Sequence, residues 1–189
     1  MKILTTELIG ELIEKTRTNI SKVEQFKELS DEGLNYKESI DTWSILECIV
    51  HLNIYGDFYN SEIKACIQKT SSAPTKYFNS GFIGNYFVNL IKPKDKLNKM
   101  KTLKENNPLG SSLDKSVINT FINQQNECIE LIENSKHINL SKTKTAISIS
   151  KLIKLRLGDI LRFITAHNER HVLQAENILK IKQLKQLKQ

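Results

Sequence analysis

The chain has 189 residues with 39% AVILMFWYC and 26% charged residues, the size and balance of a single globular domain over 1–189 with its own core. Seven Gly and three Pro are too few for a turn-rich sandwich or for a doubly wound sheet with glycine-lined phosphate loops, so composition points to an all-α chain. The net charge of +7 is uneven: Lys92, Lys94, Lys96, Lys99, Lys101 and Lys104 against Asp95 give +5, the tail lysines Lys180, Lys182, Lys185 and Lys188 give +4, and the rest is near −2.

The first apolar pattern runs through Leu4, Leu8, Ile9, Leu12, Ile13, Ile20, Val23 and Phe26, one stripe of a helix that Thr5 or Thr6 is placed to cap. A polar stretch with a Gly follows. The second helix carries Ile45, Leu46, Ile49, Val50, Asn53, Ile54 and Phe58 and reaches about Lys69, with Asp41 or Thr42 as its cap and Trp43 as an early anchor.

Residues 71–112 break this rhythm with three prolines and three glycines around Phe82, Ile83, Tyr86, Phe87, Leu90 and Ile91, which predict one short amphipathic helix inside a long crossover. Ser111 to Asp114 then open a third helix with Val117, Ile118, Phe121, Ile122, Gln125, Cys128, Ile129 and Ile132 inward. A polar segment from Ser135 to Thr145 leads to the fourth helix, which starts near Leu157 to Asp159 and lines up Ile160, Leu161, Ile164, His167, His171, Ala175 and Ile178. Its end merges into a basic tail over 180–189. The pattern predicts a four-helix bundle whose second and third helices are joined by that crossover.

Cys48, Cys66 and Cys128 cannot all pair and show no CxxC spacing, so free thiols in a reducing, cytoplasmic setting are expected. Glu7 and Glu11 interrupt the first apolar run, so neither a signal peptide nor a membrane span is expected. The lysines come without an Arg cluster and with few aromatics, which argues against nucleic acid as a partner.

His137 lies in a polar linker, but the other three histidines lie on apolar faces. His167 and His171 leave one helix face a turn apart, and that face carries Ile160, Ile164, Ala175 and Ile178. His51 sits among Ile49, Val50 and Ile54 on the second helix. An unpaired buried imidazole costs roughly 1–3 kcal/mol, so each needs a partner. Two outcomes satisfy that need. The three can converge on one metal ion and leave its fourth position open, or each can bond a carbonyl or carboxylate and serve the core.

The segment His167-Asn168-Glu169-Arg170-His171 is not a zincin motif, because Asn168 stands where the base would be and Glu169 points off the His167 face. Glu47, one turn before His51, is a candidate to hold an imidazole N–H, to act as a base or to serve as a capping or surface charge. Gln174 is placed to orient a bound water or to bridge helices. Trp43, Tyr55 and Tyr59 continue the His51 side as core, rim or substrate contacts.

Trp43-Ser44-Ile45-Leu46-Glu47-Cys48-Ile49-Val50-His51-Leu52 resembles the WSxxExxxHL signature of the DinB-like, damage-inducible superfamily. Leu157-Gly158-Asp159-Ile160-Leu161 with His167-Asn168-Glu169-Arg170-His171-Val172-Leu173-Gln174 is similar to the family's last helix. The resemblance implies a four-helix bundle, a homodimer, and a divalent metal ion, zinc or nickel, held by His51, His167 and His171. Activities in the family include S-transfer with bacillithiol or mycothiol, thiol-dependent maleylpyruvate isomerisation and hydrolysis. The expected function is transfer of a low-molecular-weight thiol to a small electrophile. The alternatives are a metal-dependent hydrolase and a noncatalytic metal-binding stress protein.

Overall fold

The structure, a computed structural model, describes residues 1–94 and 102–187. Of the lysine-rich stretch and the tail, Lys96, Lys99, Lys101 and Lys188, with Asp95, lie outside the described residues.

Among the described residues, six α-helices and four short strands follow one another as β1 (Lys2–Leu4), α1 (Thr5–Gln25), α2 (Asp31–Asn35), α3 (Ile45–Lys69), β2 (Tyr77–Asn79), α4 (Phe82–Ile91), α5 (Ser116–Asn134), β3 (Lys144–Ile147), β4 (Ser150–Arg156) and α6 (Leu157–Gln186). The four long helices form the expected bundle. α3 packs on both α5 and α6, as does α1, so α1 and α3 are diagonal and the cyclic order is α1, α5, α3, α6. That order sets the His51 helix directly against the helix of His167 and His171.

Apolar spacing accounts for the packing. Leu8, Ile9, Leu12, Ile63, Ile132, Ile160, Leu161 and Ile164 make one buried cluster. Val23, Phe26, Ile45, Leu46, Ile49, Leu52, Ile118, Phe121, Val172 and Ala175 make a second. Each such side chain, taken fully from water, contributes about 1.5–3 kcal/mol toward offsetting chain entropy.

The helix starts differ from the sequence expectation. Ser44 caps α3 in a reciprocal box with Glu47: the Glu47 N–H donates to Ser44 Oγ (3.2 Å) and Ser44 N–H to Glu47 Oε2 (2.8 Å). Asp41 and Thr42 lie too early to cap it, and Thr42 Oγ1 instead closes a turn on Ser39. α1 has no side-chain cap, because Lys2–Leu4 form a strand that runs straight into it. Thr5 is drawn to the crossover, its N–H donating to Lys76 O (3.0 Å) and its hydroxyl to Thr75 O (2.7 Å). α5 begins at Ser116, after the Asp114 carboxylate has accepted the Ser116 N–H (2.7 Å). Its buried face includes Gln124 and Leu131, whereas Val117, Ile122 and Ile129 are only half-buried.

Two antiparallel pairs were not expected: β1 with β2, and β3 with β4. The first ties the N-terminus to the crossover. The second begins in the last two residues of the polar segment Ser135–Thr145 and fills the stretch between it and the fourth helix. The crossover helix α4 is present, but Gly84, Val88 and Ile91 form its buried stripe, and Phe82, Ile83 and Tyr86 face outward.

Close approach fixes where α4 lies. A Cβ on Gly84 would stand 2.4 Å from Asp159 Oδ2, so only glycine lets α4 meet the first turn of α6 there. Asp159 accepts from Gly81 N–H (2.8 Å) and from the Ser80 hydroxyl, and it pairs with Arg162 (3.2 Å), which closes this buried junction.

Candidate metal centre

His51, His167 and His171 come together between α3 and α6. All three are buried, and one ring nitrogen from each lies within 4.8 Å of the other two. His51 Nε2 and His167 Nε2 are 3.2 Å apart. Two imidazole nitrogens on one tetrahedral ion at about 2.05 Å would be roughly 3.3 Å apart.

Two of the three rings are held by their far nitrogen. His51 Nδ1 lies 2.8 Å from the Asn106 carbonyl, which can only accept, so Nδ1 carries the proton and Nε2 presents its lone pair. His171 Nδ1 donates to Gln174 Oε1 (2.9 Å), with the same result. His167 Nδ1 is buried and has no hydrogen-bond partner among the described residues. Its ring is held by packing: Tyr55 and Phe163 lie 4.4 Å and 5.9 Å from it, centroid to centroid. Trp43 lies 4.8 Å from His51 and 5.6 Å from His171, and its indole N–H donates to Asn107 Oδ1 (3.0 Å).

Electrostatics keep these rings neutral. Burial lowers the pKa of His51, an effect that the Asn106 hydrogen bond partly opposes. Burial lowers that of His167 far more, with further lowering from His171, His51 and Arg170. The His171 pKa falls to about 3, again chiefly through burial. Neutral imidazoles with lone pairs converging at one point suit a divalent cation, which needs deprotonated donors. Among the described residues no Cys, Asp or Glu joins the three histidines as a further donor.

The histidines form part of the wall of a cavity of about 880 Å³. The rest is largely apolar and aromatic: Trp43 just before the α3 cap, Tyr55, Tyr59 and Phe163 from the long helices, Phe87, Leu90 and Ile91 from α4, and Ile147, Ile149 and Leu155 from the β3–β4 hairpin. Arg170, Gln174, Thr42 and Asp41 supply polar edges. Tyr59 secures the hairpin tip by accepting the Ser148 N–H (3.2 Å) and bonding its hydroxyl (3.3 Å).

Glu47 lies one turn from His51 but is engaged elsewhere. Besides the capping box, its Oε1 accepts from Lys37 Nζ and from the Gly110 N–H, both at 2.6 Å. None of its described hydrogen bonds reaches an imidazole. Gln174 proves to be the partner of His171 rather than a helix bridge. Sequence reasoning missed Asp41 and Arg170 as cavity residues, and it missed Asn106, whose contribution is a backbone carbonyl and leaves no mark on side-chain pattern. Phe163 was readable, four residues before His167 on one helix face.

Residues 12–175 match the model of the DinB superfamily. No curated protein matches the chain. Among solved structures, the chain is similar in fold to YfiT from Bacillus subtilis, described as a probable metal-dependent hydrolase with an unusual four-helix bundle topology. That likeness has a TM-score of 0.59 at 11% identity and covers 92% of this chain and 87% of YfiT. With a family match over most of its length, the chain belongs to the DinB superfamily.

Proposed function

We propose that His51, His167 and His171 hold a divalent metal ion, zinc or nickel, and that the protein transfers a low-molecular-weight thiol of the bacillithiol type to an apolar electrophile. The observation that carries this reading is the convergence of three neutral, buried imidazoles on the wall of a cavity large enough for a small-molecule ligand. A divalent ion bound there supplies Lewis-acid chemistry, lowering the pKa of a thiol or water that shares its coordination shell.

The chain's own residues define the rest. Trp43, Tyr55 and Phe163 exclude water around the imidazoles, which strengthens charge interactions within the pocket. Asn106 and Gln174 keep the far nitrogens of His51 and His171 protonated, so the near nitrogens stay available. The reacting thiol comes from solution. Burial raises the pKa of Cys48 and of Cys66 and pushes that of Cys128 up to about 12, and none of the three lines the cavity. In the transfer, the S–H proton passes to solvent, the sulfur forms a bond to the electrophilic carbon, and the leaving group departs to solvent with the pair of the bond that breaks.

Hydrolysis is the second reading. It is supported by the description of YfiT and by Asp41, the one carboxylate among the described cavity-lining residues and so the candidate base. A purely structural role fits less well, because the three donors adjoin a cavity and among the described residues no fourth protein donor closes the set. The test is elemental analysis of the purified protein, then conjugation of bacillithiol and other small thiols to generic electrophiles beside ester and amide hydrolysis. Conjugation that exceeds hydrolysis and disappears in His167→Ala supports transfer. Hydrolysis that disappears in Asp41→Asn, without conjugation, assigns the second reading.

A further inference from the structure

The 21 acidic residues avoid two segments entirely. Residues 63–94 and 134–158 hold no Asp or Glu, yet they carry eleven Lys and Arg. The basic character is therefore broader than the lysine-rich stretch and the tail, where acids elsewhere in the chain hide it from the net count. Lys64 and Lys136 pair with Glu127 and Glu133. The other described cations of the two segments make no ion pair among the described residues.

These segments are joined in space. They contain β2, α4 and the β3–β4 hairpin; α4 packs on β4, and Arg156 of β4 donates to the Asn79 carbonyl (2.6 Å) just before α4. The same elements present apolar side chains to solvent. Phe82 is 92% exposed and Leu152 94%, with Ile83, Tyr86, Ile149 and Ile153 each about half exposed or more. α4 itself contains no charged residue, and Lys92 and Lys94 follow it, both exposed. An uncharged helix with an outward aromatic-aliphatic face and lysines at its end is suited to the boundary between lipid headgroups and acyl chains.

We propose that the face built from α4 and the β3–β4 hairpin docks on an anionic lipid surface, with Phe82, Ile83 and Leu152 entering the interface and Lys76, Lys92, Lys94 and Lys154 meeting the headgroups. Charge selects this occupant. A second copy in a two-fold arrangement would set the same acid-free, cation-rich face against itself, whereas anionic headgroups neutralise it. Attachment is peripheral, since among the described residues no helix is long and apolar enough to cross a membrane. Because α4 and the hairpin also wall the cavity, docking holds that cavity beside the phase in which apolar compounds concentrate.

The test is cosedimentation of the full chain with vesicles of phosphatidylglycerol and phosphatidylcholine, against vesicles of phosphatidylcholine alone. Binding is expected only with phosphatidylglycerol, weakening as salt rises. The triple variant Phe82→Ser, Ile83→Ser, Leu152→Ser and the quadruple Lys76→Gln, Lys92→Gln, Lys94→Gln, Lys154→Gln should each bind at least about tenfold more weakly, with helicity by circular dichroism unchanged. Absence of wild-type binding at low salt overturns the proposal without need of any variant. Binding that both variants retain also overturns it. So does sedimentation velocity in which the wild type is a dimer and the triple variant a monomer, which would assign the face to a second copy.

Discussion

Glu47 on α3 and Gly110 near the end of the crossover, 63 positions apart, are joined by a 2.6 Å hydrogen bond from the Gly110 N–H to the Glu47 carboxylate. The same carboxylate caps α3 and receives Lys37, so one buried side chain sets where α3 begins and where the crossover returns. Between them, Asn106 and Asn107 reach His51 and Trp43.

Glu47→Ala strips partners from two backbone N–H groups and a lysine, and it should lower unfolding stability by about 2–4 kcal/mol. Glu47→Gln keeps one acceptor oxygen and should lose less. Urea denaturation of both variants checks the order. If Glu47→Gln keeps thiol transfer in proportion to its folded fraction, the residue is a positioning group; a loss of turnover at full folding would assign it to the chemistry.

Removal of Gln174 frees the His171 ring while leaving all three imidazoles in place. Gln174→Ala should weaken metal affinity roughly 10- to 100-fold, the usual effect of losing an outer partner of a ligand. His51→Ala, His167→Ala and His171→Ala should each lose most of the metal. Competition with a chromogenic chelator measures all four. The variants should remain folded, because the two apolar clusters do not depend on the ion as a zinc finger does.

Chelator-treated protein should lose stability on mild acidification. The His171 pKa is about 3 in the folded chain against 6.5 ordinarily, and those of His51 and His167 are also lowered. As pH falls below 6.5 the unfolded chain takes up protons that the folded chain refuses, so stability falls with pH, by up to about 1.4 kcal/mol per pH unit for each histidine. Urea midpoints at pH 7.5, 6.0 and 5.0 should decline in that order. His171→Phe, which lacks the titrating group, should flatten the slope.

Gly84→Ala should destabilise the protein by about 1–3 kcal/mol, since the new methyl would meet the Asp159 carboxylate inside a packed junction. Gly10→Ala, where a Cβ meets nothing within 4 Å, is the control and should be neutral or stabilising. Thermal melts of the two variants side by side test this.

The parts of this architecture that were legible in sequence share one property, a period close to 3.6. The long stripes of α1, α3, α5 and α6 and the one-turn spacing of His167 and His171 declare themselves because each apolar side chain repeats on one face. Elements of three or four residues have no room to repeat. Lys2–Leu4 reads as the start of a helix until its partner Tyr77–Asn79 is known, and β3 disappears into a polar segment. Nor does β4 declare itself by alternation, because Leu152 and Ile153 stand side by side in Lys151-Leu152-Ile153-Lys154-Leu155. α4 misled for a different reason. Apolar residues lie all around it, so its sequence cannot say that Gly84, Val88 and Ile91 turn inward while Phe82 and Ile83 do not.

His51 and His167 touch across 116 positions of chain, and this separation imposes an order on biosynthesis. A growing polypeptide that has reached the end of α5 owns a single one of the three imidazoles, too few to compete with cellular buffers for an ion. The donor set is complete only when the last helix has emerged and swung against α3. On the proposed function, ion capture would thus follow completion of the bundle rather than seed its folding, and a nascent chain halted before α6 would lack two of the three imidazoles.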